Sequence, residues 1–531
     1  MEQDKHPVVD DEFFELQELV HVSRFYGQDN RYVIAGGGNT SYKNNEKIWV
    51  KASGAALATI TIEGFAVLDR DRLAGMAEKA YSTDPDEREE QVKNDLAVAT
   101  LTKGRRPSVE TSLHDAIHWP FVVHLHPTAV NGVLCATNAE REVKALFGEK
   151  TLYVEYTDPG YVLFKKVNDA IEEYRTAHGE EPKVIWLQNH GIFVGAETTQ
   201  EIRSIYDEIL KKIEEAVTYP LPAGARDTCG CTGEIVPALR MMLSGDGLKT
   251  LKVRKNELVK YYYDSPANQQ DISRPFTPDA IVYCKSNYLF LKGETPEAVL
   301  SEAEKAITAF KKQFGYLPKV LLIKGIGLVA VGDHAKQCDT ILDVFEDAMK
   351  IAYLARSFGG PHPMTPGQID FIDNWEVENY RRSVAAGASR GRAENKTIVI
   401  TGAAQGFGEG IGCCLLREGA NIVIADLNEE AGKATADYFN QHAENNRALF
   451  VKTNVADISS LDNLIHQTVC HFGAIDCFIS NAGVLRAGGL DDMTPENFDF
   501  VTKINYSAYF YCTKVVSNVM KLQTKYADDA Y

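Results

Sequence analysis

Residues 396–412 read KTIVITGAAQGFGEGIG: an apolar run from Thr397 to Ile400 enters Thr401 and a turn holding Gly402, Gly406 and Gly408. A helix is expected from about Glu409. A strand, a glycine-rich turn and a helix in that order bring backbone N–H groups close to an anion, so the spacing predicts a dinucleotide pyrophosphate over the helix N-terminus. The glycines alone carry little weight; the strand before and the helix after give them meaning. A second strand, Asn421 to Ala425, closes on Asp426, 24 positions after Gly402. A carboxylate there accepts both hydroxyls of an adenine ribose and repels a 2′-phosphate, which predicts NAD over NADP. Asn481, Ala482 and Gly483 follow a fourth strand, and Asn505 lies in the next helical stretch. A doubly wound parallel sheet is therefore expected over residues 395–531.

Before this domain, Arg381 to Glu394 reads RRSVAAGASRGRAE, basic and rich in small residues with no apolar periodicity, as expected of a linker. The preceding chain alternates helical stretches with β-type runs at Ile48 to Lys51, Phe121 to Leu125, Val184 to Leu187 and Ile192 to Val194. Further strands are expected at Ala280 to Cys284 and Val320 to Ile323, followed by a helical pattern through Ala352. Laying KVIWLQNHGIFVG (183–195) over KVLLIKGIGLVAVG (319–332) repeats strand, glycine turn, strand and helix, with Ile326 where the first copy has His190. The reading is an α/β domain over 10–235, a degenerate second repeat over 236–380 continuing it, a linker over 381–394, and the nucleotide domain.

Composition limits the function classes. A formal charge of −18 repels a phosphate backbone, so no nucleic-acid partner is expected. No apolar run approaches the roughly 18 residues of a membrane span, and the N-terminus, with Glu2, Asp4, Lys5, Asp10 and Asp11, lacks a secretion pattern, so a cytoplasmic protein is expected. The 10 scattered cysteines read as reduced thiols, and Cys229 with Cys231 is too isolated for a zinc knuckle.

The chemistry-bearing residues of the first half are His124 and His126 in FVVHLHP, two apart on a strand and thus on one face, and His190 in QNHG at a strand end. Three imidazoles leave a metal position open for substrate, as in catalytic rather than structural zinc sites. A His-x-His pair by itself is as readily a chance feature of a half-buried strand, and His114 with His118, four apart, is a competing pair. Glu110, in RPSVETSLHDAIH, is an acid at a helix start. Gly36 to Lys43, GGGNTSYK, and Ser53 with Gly54 offer small residues and short donors suited to a phosphate.

GGGNTS, KASG, PSVET, HLHP and NHG in that order resemble the class II aldolase/adducin family over roughly residues 10 to 220. The resemblance implies that His124, His126 and His190 bind Zn2+, that Glu110 is the catalytic acid/base, and that Asn39, Ser53, Gly54 and Ser108 hold a substrate phosphate. Val109 departs from the pattern, standing where some members place a second phosphate-binding serine. Residues 396–531 resemble the short-chain dehydrogenase/reductase family but lack its later serine and Tyr-x-x-x-Lys. Tyr511 and Lys514 are one place short, and Asn454 replaces the usual aspartate beside adenine. The nucleotide domain is thus expected to be truncated, with its dehydrogenase chemistry lost or cut off from a longer parent.

The two-part arrangement resembles bacterial fusions of rhamnulose-1-phosphate aldolase with an alcohol dehydrogenase. That implies cleavage of a ketose 1-phosphate to dihydroxyacetone phosphate and lactaldehyde by a homo-oligomer. A sugar-phosphate epimerase of the same superfamily and a non-catalytic adducin-like module are the alternatives.

Overall fold

The computed structural model describes residues 11–224, 232–245, 247–374 and 391–527. The chain packs as two units, residues 1–221 with 274–282 and 347–384, and residues 222–273 with 283–346 and 385–531.

The first unit is built on a seven-stranded sheet of β1 (Asn39–Lys43), β2 (Lys47–Lys51), β3 (Phe65–Asp69), β4 (Phe121–Leu125), β5 (Leu152–Val154), β6 (Val184–Leu187) and β7 (Gly191–Ala196), in the order β3-β2-β1-β4-β7-β6-β5. Its central strands are near-continuous apolar runs because both faces are covered, which hides the alternation a one-sided sheet displays. Val123, Leu125, Ile192 and Val194 pack into the core on one face, and Val122, Ile185 and Phe193 into the core on the other. Thr198 caps the helix Thr199–Ala216 by accepting from the Glu201 N–H, and the helix lays Ile202, Tyr206, Ile209 and Ile213 into the first core. The helix Tyr161–His178 closes the second core and ends at Gly179, whose φ of 68° suits a residue without Cβ.

The second unit holds two four-stranded sheets. One is β8 (Thr250–Arg254), β9 (Leu289–Leu291), β10 (Val320–Ile323) and β11 (Gly327–Gly332), in the order β8-β11-β10-β9. This matches β4-β7-β6-β5 of the first sheet strand for strand, with antiparallel, antiparallel and parallel pairings in the same succession. The helix Pro296–Phe314 stands where the first copy has Tyr161–His178 and likewise ends at a left-handed glycine, Gly315. The repeat expected from 183–195 and 319–332 is thus a repeat of architecture.

The other sheet is parallel: β12 (Thr397–Thr401), β13 (Asn421–Asp426), β14 (Ala448–Lys452) and β15 (Cys477–Ile479), in the order β14-β13-β12-β15. β15 pairs only with β12 among the described residues. Leu251, Leu321 and Val329 share one hydrophobic core with Val399, Val423, Leu461 and Val516, so the two sheets of this unit are cemented together. Arg240, fully buried, spans them: it donates from both terminal nitrogens to Asp476 at 2.8 and 2.9 Å, from Nε to the Lys249 carbonyl and from Nη2 to the Asn395 carbonyl.

One strand expectation is corrected. Ala280 to Cys284 lies in a helix, Pro278–Cys284, because Pro278 and Asp279 supply a helix start ahead of the apolar run; the strand of that region is β9. The dinucleotide helix begins at Gly406, three residues before the expected Glu409. Cys229, Cys231, the N-terminal acidic residues up to Asp10 and most of the expected linker, through Arg390, lie outside the described residues. Every described cysteine is free, and no described helix is long and apolar enough to cross a membrane.

Candidate functional site

β4, the central strand, carries His124 near its C-terminal end and His126 just beyond it, and the turn between β6 and β7 delivers His190 beside them. One ring nitrogen from each lies within 4.8 Å of the others. His124 is buried flat against Phe193, ring centroids 4.0 Å apart, and its Nδ1 meets the Ile192 carbonyl at 2.9 Å. A carbonyl only accepts, so Nδ1 carries the proton and Nε2 presents a lone pair. His126 is set the same way, with Nδ1 2.7 Å from the Asp279 carboxylate. Its Nε2 faces the His124 Nε2 at 2.9 Å. Two bare lone pairs at that distance repel unless a cation sits between them, and nitrogens sharing one tetrahedral zinc would be about 3.3 Å apart. The donor set therefore fits a divalent cation of nitrogen affinity.

Glu110 completes the cluster. Its Oε1 lies 3.2 Å from the His190 Nε2 and 3.4 Å from the His124 Nε2, and Asn39 donates to its Oε2. Burial opposes charge on this carboxyl, but positive charge at the histidine cluster, on the rings or on an ion they hold, outweighs burial and holds it well below the usual carboxylate range.

The expected phosphate residues take two kinds of place. Asn39 and Ser108 are buried against Glu110, the second accepting at Oγ from the Glu110 N–H at 3.2 Å. Ser53 and Gly54 form a turn tied to the segment before Ser108: Ser53 N–H donates to the Arg106 carbonyl, and Ala52 bridges Pro107. Gly54 has a φ of 87°, which suits a residue without Cβ, with open space where a side chain would be. The competing pair is not brought together: His114 is fully buried with Nδ1 on Ser41, whereas His118 lies past the helix end beside Arg175.

Sequence reasoning missed Asp279, which stands 153 positions from His126, just before the apolar run Ala280 to Cys284 read as a strand. Its one signal was the Pro-Asp helix start. It also missed the glycines that box in the His126 ring. A Cβ on Gly191 would lie 2.6 Å from the ring, and one on Gly37 would lie 3.1 Å from the Asp279 carboxylate.

In the second unit, Gly402 and Gly406 both take φ of 66°, and a Cβ on Gly408 would fall 2.4 Å from the Gly402 carbonyl oxygen. Asn481 donates to the Thr401 and Gly402 carbonyls at 3.0 and 3.1 Å, fixing the turn, and the Ala482 N–H reaches the Thr401 hydroxyl. Asp426 ends β13 beside this turn, accepting from the Ala404 N–H at 3.1 Å. Gly483 lies next to Asn505, whose side chain pairs with both backbone groups of Val484. Asn454 accepts from the Ala456 N–H, and Tyr511 packs against the core of the unit.

Residues 17–211 match the family model described as the class II aldolase and adducin N-terminal domain, and residues 396–527 match that of short chain dehydrogenases. The chain is a fusion of a class II aldolase-type domain with a short-chain dehydrogenase domain. The fusion is similar along most of its length to the uncharacterized oxidoreductase YuxG of Bacillus subtilis (strain 168), with 25% identity covering 96% of this chain and 78% of that protein. Its dehydrogenase domain is 36% identical to the oxidoreductase UcpA of Salmonella typhimurium, over 24% of this chain and 47% of that one. It is 32% identical to the (2S)-[(R)-hydroxy(phenyl)methyl]succinyl-CoA dehydrogenase subunit BbsD of Thauera aromatica, over 24% and 50%. The chain thus spans about half the length of these two dehydrogenases. Among solved structures, the N-terminal class II aldolase domain of a conserved protein from Thermoplasma acidophilum aligns with 24% identity over 40% of this chain and 96% of that chain, at a TM-score of 0.33. A short-chain dehydrogenase/reductase of Brucella melitensis aligns with 26% identity over 25% and 54%, at 0.23.

Proposed function

We propose that the aldolase-type domain is a metal-dependent lyase that cleaves a ketose 1-phosphate, L-rhamnulose 1-phosphate foremost, to dihydroxyacetone phosphate and lactaldehyde. The observation that carries this reading is the gathering of three imidazoles with the Glu110 carboxylate 3.2 and 3.4 Å from two of them. His124, His126 and His190 would hold the ion, zinc by the preference of such a nitrogen set. When bound, a divalent ion supplies Lewis-acid stabilisation of the negative charge that develops on the substrate's carbonyl side. The bond between C3 and C4, α and β to the C2 carbonyl, would break with its electron pair left on C3 of the dihydroxyacetone half, while the C4 hydroxyl releases its proton to solvent and becomes the aldehyde. Glu110 carries the proton that the dihydroxyacetone half then takes up at carbon. Asn39 holds Glu110 in place from one oxygen, which leaves the other turned to the histidines. The Ser53–Gly54 turn and Ser108 suit the phosphate.

A sugar-phosphate epimerase would use the same ion and the same anion turn; carbon–carbon cleavage is preferred because Glu110 sits among the histidines. An adducin-like module has no need of this donor set. The second domain is proposed to bind NAD rather than NADP, since Asp426 would face the adenine ribose, and the whole is proposed to work in the cytoplasm as a homo-oligomer on a small sugar phosphate.

The test pairs metal analysis with cleavage assays on phosphorylated and free ketoses. His126→Ala should lose bound metal and cleavage together, and Glu110→Gln should keep metal while losing cleavage. Full cleavage by His126→Ala would overturn the site, and equal activity on the free ketose would overturn the role of Ser53 and Gly54.

A further inference from the structure

Asp279 belongs by sequence to the second repeat, between β8 and β9, yet the segment 274–282 packs in the first unit. Its fixing contacts are specific. Asn189, next to His190 in the metal turn, donates from Nδ2 to the Phe276 carbonyl and to the His362 carbonyl, both at 2.9 Å. Ile281 forms a small core with Met364 and Ile372, against which Val109, the neighbour of Glu110, also packs. The segment is therefore anchored on both sides of the histidine cluster, and it delivers one carboxylate to one ring nitrogen.

That nitrogen decides what His126 can do. An imidazole offers a lone pair at Nε2 only if Nδ1 carries the proton, and a carboxylate acceptor at Nδ1 selects that tautomer. Only glycine leaves room for this pair: a Cβ on Gly191 would lie 2.6 Å from the ring, and one on Gly37 would fall 3.1 Å from the carboxylate and 3.5 Å from Nδ1. His124 achieves the same tautomer with a carbonyl from its own sheet, so the two histidines are set by different means.

We infer that Asp279 is a positioning residue for metal binding: it fixes the Nδ1–H tautomer and the orientation of His126, so that the three-histidine site is complete only with the segment donated by the second repeat. This rests on reading the histidines as metal ligands. It goes beyond that reading by making a sequence with no ligand of its own a determinant of affinity.

The test strips the full chain of metal and titrates it with Co2+. Asp279→Ala should weaken Co2+ binding about 10–100-fold and alter its visible absorption bands. Asp279→Asn, whose Oδ1 still accepts from Nδ1–H, should recover most of that loss. Wild-type affinity and spectrum in Asp279→Ala would overturn the proposal. NMR of metal-free wild-type chain with 15N-labelled histidine needs no variant: His126 as the Nδ1–H tautomer supports the proposal, and as the Nε2–H tautomer it overturns it. Unchanged Co2+ binding by His126→Ala would instead show that the histidines are not the ligands, a result separable from the tautomer.

Discussion

The two repeats share a scaffold and differ in what it carries. β4 and β7 pair so that His124 lies opposite Phe193, two residues after Gly191, and β8 and β11 pair so that Val253 lies opposite Val329, two residues after Gly327. By that register His124, His126 and His190 correspond to Val253, Lys255 and Ile326, and no ligand survives. The glycine survives. A Cβ on Gly191 would lie 2.5 Å from the Leu125 carbonyl oxygen, and one on Gly327 would lie 2.5 Å from the Arg254 carbonyl oxygen. Close approach of two backbones is a demand of the fold and persists in both copies; the imidazoles answer only to chemistry and are absent from one. The second copy's fully buried charge, Arg240, instead ties its sheet to the dinucleotide sheet.

The sharpest way to break this comparison is at that ion pair. Asp476→Ala leaves the buried Arg240 charge without its carboxylate, and a loss of about 3–5 kcal/mol is expected in denaturant unfolding, with metal binding by the refolded or residual native chain unaltered. A loss below about 1 kcal/mol would mean that the pair does not hold the second unit together. A smaller pair of changes sharpens the equivalence: Gly191→Ala and Gly327→Ala should each cost about 1–3 kcal/mol, since each forces a methyl against a carbonyl. Only the first should also weaken metal binding, and equal effects on metal would contradict the assignment of chemistry to one copy.

A pH effect belongs to Lys43, on a strand the second repeat lacks. Burial pushes its ammonium down to about 7 although Asp115 lies near, and Nζ donates to the His114 carbonyl at 2.6 Å. The unfolded chain then binds more protons than the folded one between about pH 7 and 10.5, so stability from this group rises across that window and is lowest below it. Melting temperatures at pH 7.0 and 9.5 should rise more with pH in the wild type than in Lys43→Met; parallel curves would show that the lysine is not neutralised by burial.

The architecture was legible because its signals are local. Val184 to Leu187 and Val320 to Ile323 are strands as expected, and the glycine turn at 402–408 carries its own context. His124 and His126 were legible because a strand's period of two puts them on one face. Asp279 was not, because tertiary folding alone brings it 153 positions to His126, and the run Ala280 to Cys284 satisfies a buried strand or a buried helix equally until Pro278 decides. The shielding of Asn39 and Ser108 by Glu110 was hidden for the same reason: short polar residues in glycine-rich turns announce a contact without naming the partner.

The most direct measurement is the metal content of the full chain after exhaustive dialysis, compared with that of the His124→Ala/His126→Ala/His190→Ala chain. One divalent ion per wild-type chain and none in the triple variant is the expected result. An ion retained with wild-type affinity when all three imidazoles are gone would contradict it.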